Sequence, residues 1–166
     1  EGSTVTVQKG TGIQSVADIL FSLEPVLSTE SAYAAHPAFS KLFVCGGREQ
    51  AADTVVFSRR NRDGSDGLFL TLGFDRRYSY AYALRREDVT PYPDGLQNLL
   101  RFDTLPFDGG TATPDGCCAL RLSTLVPAEG EAQVTLLLSV AATLEESVGN
   151  LISVRERGVQ PAQPVL

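Results

Sequence analysis

The chain has 166 residues, 43% of them hydrophobic and 20% charged, with a formal net charge of −6. That length predicts one domain with a sizeable core, and the acidic balance excludes a general nucleic-acid binder, which needs a basic field. No apolar run approaches the roughly 18 to 20 residues that cross a bilayer, so no membrane contact by this domain is expected.

The first residues, EGSTVTVQKG, lack the basic start and apolar segment of a signal peptide, and the chain contains no Met. The first feature predicts that this is no signal peptide, and the missing Met predicts a processed, trimmed or cloned segment of a longer polypeptide. Cys45, Cys117 and Cys118 match no metal or redox spacing. Bonding the adjacent pair would close a strained ring. Reduced thiols and a cytoplasmic location are therefore expected.

In chain order, residues 4–7 read as a strand, with a turn at Lys9-Gly10-Thr11-Gly12. Residues 16–27 (VADILFSLEPVL) form a long apolar run whose Pro25 predicts an edge position or a bulge. The only histidine, His36, lies in AAHPAFSKLF, between that run and a short strand-like stretch at 42–44. Pro37 suits the first position of a helical turn. The spacing of Phe39 to Leu42 and Phe43 predicts that Phe39 is buried beneath a corner.

Strands are expected over 54–58, 68–74 and 78–84, with turns at 61–64 and 75–77. A Pro-rich and Gly-rich stretch at 91–115 precedes two more strands, 118–125 and 133–141, joined by the hairpin link VPAEG. Thr143 and Glu146 form a capping box for one helix. Leu144, Val148, Leu151 and Ile152 recur at helical spacing, and Gly158 supplies the stop. The summed reading is an all-β fold over residues 1–158, an antiparallel β-sandwich with one C-terminal helix. A Pro-rich tail or linker, 159–166, follows.

Several stretches together resemble a known family. SLEPVLS, AAHPAFSKLFV and VVFSRRNR, in that order, are similar to the N-terminal β-domain of glycoside hydrolase family 94. That family holds the cellobiose and chitobiose phosphorylases and the related region of cyclic β-1,2-glucan synthases. The block Ala35 to Ser40 is the most specific match, and Arg59-Arg60-Asn61-Arg62 follows it as an Arg-Arg-x-Arg run. DGCCALRLSTLVPAEGEAQVTLLLSVAATLEESVGNL resembles the strand, turn, strand and Glu-Glu helix that close the same domain. The resemblance covers about residues 4 to 157. Two departures stand out: the chain has no Trp, and its middle, 91–115, lacks the usual arginine-rich and glycine-rich pattern.

The resemblance implies a β-sandwich of the galactose-mutarotase-like supersandwich type without chemistry of its own. In the family, an Asp general acid and a phosphate site lie in a separate (α/α)6 barrel, to which nothing in these residues can be matched. The implied partners are that catalytic domain of a parent polypeptide, a second copy in a homodimer, and a β-glucan or oligosaccharide. A free-standing carbohydrate-binding module is the alternative reading. No catalytic residue, metal or cofactor is assigned.

The candidate contact residues each carry two readings. A lone His36 lacks the nucleophile and orienting group of a triad, so it is a hydrogen-bonded corner or a contact to a partner domain or a sugar. Tyr78, Tyr80 and Tyr82 alternate along a strand, which puts three rings on one face. They form either a sugar platform or part of a core or domain interface. Arg59 and Arg60, with Arg62, Arg76, Arg77, Arg85 and Arg86, are solvated turn charges or an anion-binding cluster. Asp63, Asp66, Asp75, Asp108 and Asp115 sit in turns or beside Gly, where turn chemistry explains them before calcium does. Glu145 and Glu146 suit the first turn of a helix on dipole grounds alone.

Overall fold

The computed structural model describes residues 2–10, 12–61, 63–86 and 116–158. The Pro-rich and Gly-rich stretch, Arg62, Asp108, Asp115 and the 159–166 tail lie outside them. The described residues form two antiparallel sheets and a C-terminal helix, an all-β sandwich as the alternation of apolar residues implies.

The larger sheet runs β1–β8–β5–β4–β3, from β1 (Gly2–Gly10), β3 (Val44–Glu49), β4 (Thr54–Arg60), β5 (Asp66–Phe74) and β8 (Glu129–Ala141). The smaller runs β2–β7–β6, from β2 (Ser15–Leu23), β6 (Tyr80–Arg85) and β7 (Gly116–Val126). Period-2 alternation turns Val55 and Phe57 of β4, Leu70, Leu72 and Phe74 of β5, and Val134 and Leu136 of β8 to one side. There they meet Ile19, Tyr82, Leu84, Leu120 and Leu122 of the smaller sheet in one core.

β2 ends at Leu23, before Pro25, because proline cannot donate to the ladder. Two short helices that the sequence showed only as a turn fill the gap to β3: α1 (Glu30–Ala35) and α2 (Pro37–Lys41). Tyr78 falls outside β6, in the connection from β5.

The helix α3 (Leu144–Arg157) starts where its capping residues predict, with Thr143 Oγ1 accepting the Glu146 N–H at 3.2 Å. It stops at Gly158, whose φ of 77° is a glycine conformation. It packs on the outer face of β5 and β8. Buried Leu151 and Ser147 face the sheet, and the Ser147 hydroxyl shares a 2.7 Å hydrogen bond with Thr71 Oγ1 and reaches the Ser139 carbonyl at 3.0 Å. At the far end Arg155 lies flat on the sheet, and its guanidinium donates to the carbonyls of Phe74, Ala52 and Asp53 at 2.7, 2.6 and 3.1 Å. Only glycine permits that approach at position 73, where a Cβ would sit 2.6 Å from Arg155 Nη2.

Candidate interface

Register places several residues at one end of the larger sheet. Val44 of β3 faces Arg59 of β4, Arg60 faces Asp66 of β5, and Phe69 of β5 faces Ala141 of β8. The start of β3, the end of β4, the start of β5 and the end of β8 therefore share one edge. The α1–α2 corner leads directly into β3 there.

Local chemistry fixes the corner. Thr29 caps α1 by accepting the Ala32 N–H. His36 ends α1 and begins α2, with φ −147° and ψ 76°; its N–H donates to Ala32 O, and its carbonyl accepts the Ser40 N–H. Ser40 is buried and its hydroxyl donates to the same Ala32 carbonyl at 3.2 Å. Glu24 ties the corner down between Lys41 Nζ at 2.5 Å and Arg86 Nη2 at 2.6 Å. The hydrogen bond from Lys41, then that from Arg86, holds the Glu24 carboxyl below its usual range, and the same pairing raises Lys41. Arg59 reaches back to donate to Leu27 O at 3.0 Å.

His36 is thus the corner residue that the Pro37 turn predicts, with its backbone satisfied and its side chain exposed. Phe39 is a correction. It was expected to be buried, and it is 54% exposed. The reason is helical geometry: Ser40, held inward by Ala32 O, leaves its neighbour about 100° round the helix and facing out. Phe39 packs edge-on against Phe43 at 5.7 Å, and Leu42 beside it is 45% exposed.

Two more apolar side chains emerge along the same edge. Leu68 and Val140 alternate with core residues Leu70 and Leu138, so they belong to the face that turns toward the smaller sheet. Yet they are 46% and 55% exposed. Inward-facing positions left open mark an end where the smaller sheet does not close over the larger one. Spacing alone misses them, since each reads as an ordinary core position of its strand.

The tyrosines go elsewhere. Tyr80 stacks edge-on against Phe74 at 5.2 Å, at the opposite end of β5, and Tyr78 does so at 5.6 Å. Tyr82 is only 7% exposed, within the core. The Arg48 guanidinium lies 5.4 Å from the ring centres of both Tyr80 and Tyr82 and bonds Asp53 at 2.8 Å. Three rings on one face is the correct local reading, but the face is the core side, and a sugar has no path to Tyr82. Core packing is therefore the role the geometry gives them. The Tyr80 hydroxyl is buried with no well-formed hydrogen bond, and burial first, then the charge of the adjacent Asp53 carboxylate and a weak contact with it, pushes its pKa up to about 12.

Nor do the arginines form one cluster. Arg59, Arg60 and Arg86 lie near the corner, whereas Arg76 donates to Tyr78 Oη in the turn after β5. Asp63 and Asp75 serve turn and strand chemistry, accepting from Ser65 and from the Thr135 N–H. Among the described residues no group of His, Cys, Asp and Glu could hold a metal, and no helix is long and apolar enough to cross a membrane.

Among the described residues the site defines a class by shape: a β-sandwich with an open apolar end, rimmed by Lys41, Arg59, Arg60 and Arg86. No family model matches the chain, and no curated protein matches it closely enough to stand as a relative.

Proposed function

We propose that this chain is the non-catalytic β-sandwich domain of a carbohydrate-active, phosphorylase-like enzyme of the family 94 kind, and that its open end packs on the (α/α)6 catalytic domain. The observation that carries this reading is the place of the most specific motif. His36 and Phe39 of the His-Pro-Ala-Phe-Ser block, with Leu42 just after it, stand exposed at the end of the larger sheet where Leu68 and Val140 are also exposed. Soluble domains rarely leave several large aliphatic and aromatic side chains in water at one end without a partner for them. A sugar contact at this end falls to His36 and Arg60, which carry suitable donors. A homodimer built through the same domain, and a cytoplasmic location supported by the free thiols of Cys45, Cys117 and Cys118, complete the reading.

The test is association between this chain and the separately purified (α/α)6 domain of its full-length polypeptide, followed by sedimentation velocity. A one-to-one complex is expected, weakened at least about ten-fold by Phe39→Asp or Leu42→Asp, a loss of about 1.4 kcal/mol. The isolated chain should release no glucose 1-phosphate from cellobiose or a β-1,2-glucan in phosphate buffer. Release of that product, or no complex at all, overturns the reading.

A further inference from the structure

A second unpartnered surface lies on the outer face of the sandwich. The helix α3 covers β5 and β8 but stops short of the β3–β4 turn, and a groove of about 570 Å³ runs between them. We infer that this groove is a docking site for a basic amphipathic segment of a partner protein. The inference is independent of the open end.

The walls are apolar. Leu144, Val148 and Ile152 recur at i, i+4 and i+8 along the helix side, and Ala51 and Ala52 form the other. Leu144 and Ile152 are among the exposed large apolar residues of the chain, although their spacing is that of a packed face. The width is fixed in advance, because Arg155 bonds the Ala52 and Asp53 carbonyls of the turn from the helix. A groove so held needs no ordering of its walls when a partner enters.

Gly149 lines the groove in the middle of α3. Glycine is the poorest interior helix residue after proline. Among the described residues nothing demands it there: it has no positive φ, and a Cβ at that position would meet no atom within 4 Å. The bare backbone leaves the middle of the groove open, as small residues do where a second helix comes close.

Charge selects the occupant. Glu145 stands on the helix rim and Glu49 on the turn rim, and among the described residues neither meets a cation. Glu49 accepts only the Ala51 N–H. The nearest basic groups of α3 are at its far end, where Arg155 is spent on backbone carbonyls and Arg157 bonds the Ser153 carbonyl. An apolar trough between two unpaired carboxylates, on a chain of net charge −6, fits apolar anchors at helical spacing flanked by Lys or Arg. A second copy of this chain would instead bring its own Glu49 and Glu145 to the same rims.

The probe is a fluorescein-labelled synthetic peptide with leucines at i, i+3, i+4 and i+7 and lysines elsewhere, paired with a twin carrying glutamates for the lysines. Fluorescence anisotropy with the whole chain should show saturable binding of the lysine peptide, weakened by salt, and no binding of the twin. Gly149→Leu fills the groove without a clash and should weaken binding at least about ten-fold. Gly149→Ala leaves the trough open and should retain it. Glu49→Lys with Glu145→Lys should abolish the preference between the peptides. Equal binding of the two peptides to the parent chain, no saturable binding, or a Gly149→Leu variant that binds like the parent would each overturn the inference. So would a dimer of the free chain that Gly149→Leu dissolves.

Discussion

The two ends of the larger sheet put large apolar side chains to opposite effect. At one end Phe74, Tyr78 and Tyr80 meet edge to face, Arg48 lies over two rings, and Arg155 locks the turn carbonyls from outside. At the other, Phe39, Leu42, Leu68 and Val140 point outward or into an opening that nothing among the described residues fills. Both ends carry large apolar side chains, and closure differs between them. An apolar side chain becomes core when a second layer covers it, and otherwise becomes a surface that needs a partner.

The sharpest way to break this comparison is to empty one aromatic at each end. Phe74 is 1% exposed in the core and meets the rings of Phe21, Tyr78 and Tyr80, so Phe74→Ala should cost about 3 to 5 kcal/mol. For a domain of this size that lowers the melting temperature by about 2 to 4 °C per kcal/mol. Phe39→Ala should stay within about 0.5 kcal/mol of the parent, like other surface changes. Denaturant melts of both variants decide it, and equal midpoints would remove the distinction between a closed and an open end.

That contrast also shows what was readable before any coordinates. The strands at 54–58, 68–74, 118–125 and 133–141 were legible because β-branched and apolar residues alternate there, and the helix because Thr143, Glu146 and Gly158 punctuate it. Local pattern also placed three tyrosine rings on one side of β6 and its approach. It could not say which side was wet, since that depends on which sheet covers which face. Phe39 failed for a related reason. In a five-residue helix either Phe39 or Ser40 can turn inward, and a hydrogen bond to Ala32 O, between residues eight apart, decided for the hydroxyl. Leu68 and Val140 carry no signal at all, because exposure at a strand end reflects the smaller sheet's reach. Gly149 was visible only as a helix residue of poor propensity; the groove it lines needs the Arg155 clamp to exist.

The clamp itself supplies the next test of the closed end. Arg155→Ala strands three carbonyls that now accept charge-assisted bonds, and should cost about 2 to 3 kcal/mol. Burial lowers the Arg155 pKa, but the guanidinium stays charged throughout the working pH range. Arg155→Lys should recover only part of the loss, because a point ammonium cannot span three acceptors as the planar fork does. If alanine and lysine variants both melt like the parent, the helix is held by Leu151 and Ser147 alone.

The smallest expected effect sits in Tyr80. Its hydroxyl is buried and has at most a weak, poorly aligned contact with the Asp53 carboxylate, so Tyr80→Phe removes a poorly satisfied polar group while keeping the ring contacts to Phe74 and Tyr82. Stability at neutral pH should hold or rise by about 1 kcal/mol, since a poorly satisfied buried hydroxyl is unfavourable. The pH dependence gives a second, independent reading. The folded pKa, about 12, is above the ordinary 10.0. A group with a raised folded pKa contributes its full stability below the unfolded pKa, and that contribution drains away as the unfolded state loses its proton first. The parent should therefore lose stability relative to Tyr80→Phe between about pH 10 and 12, whereas the difference between them stays flat at lower pH. Denaturant midpoints of the two proteins across that window measure it. A constant difference up to pH 12 would mean that the hydroxyl titrates as if in water, and that the end taken here as closed admits solvent to Tyr80.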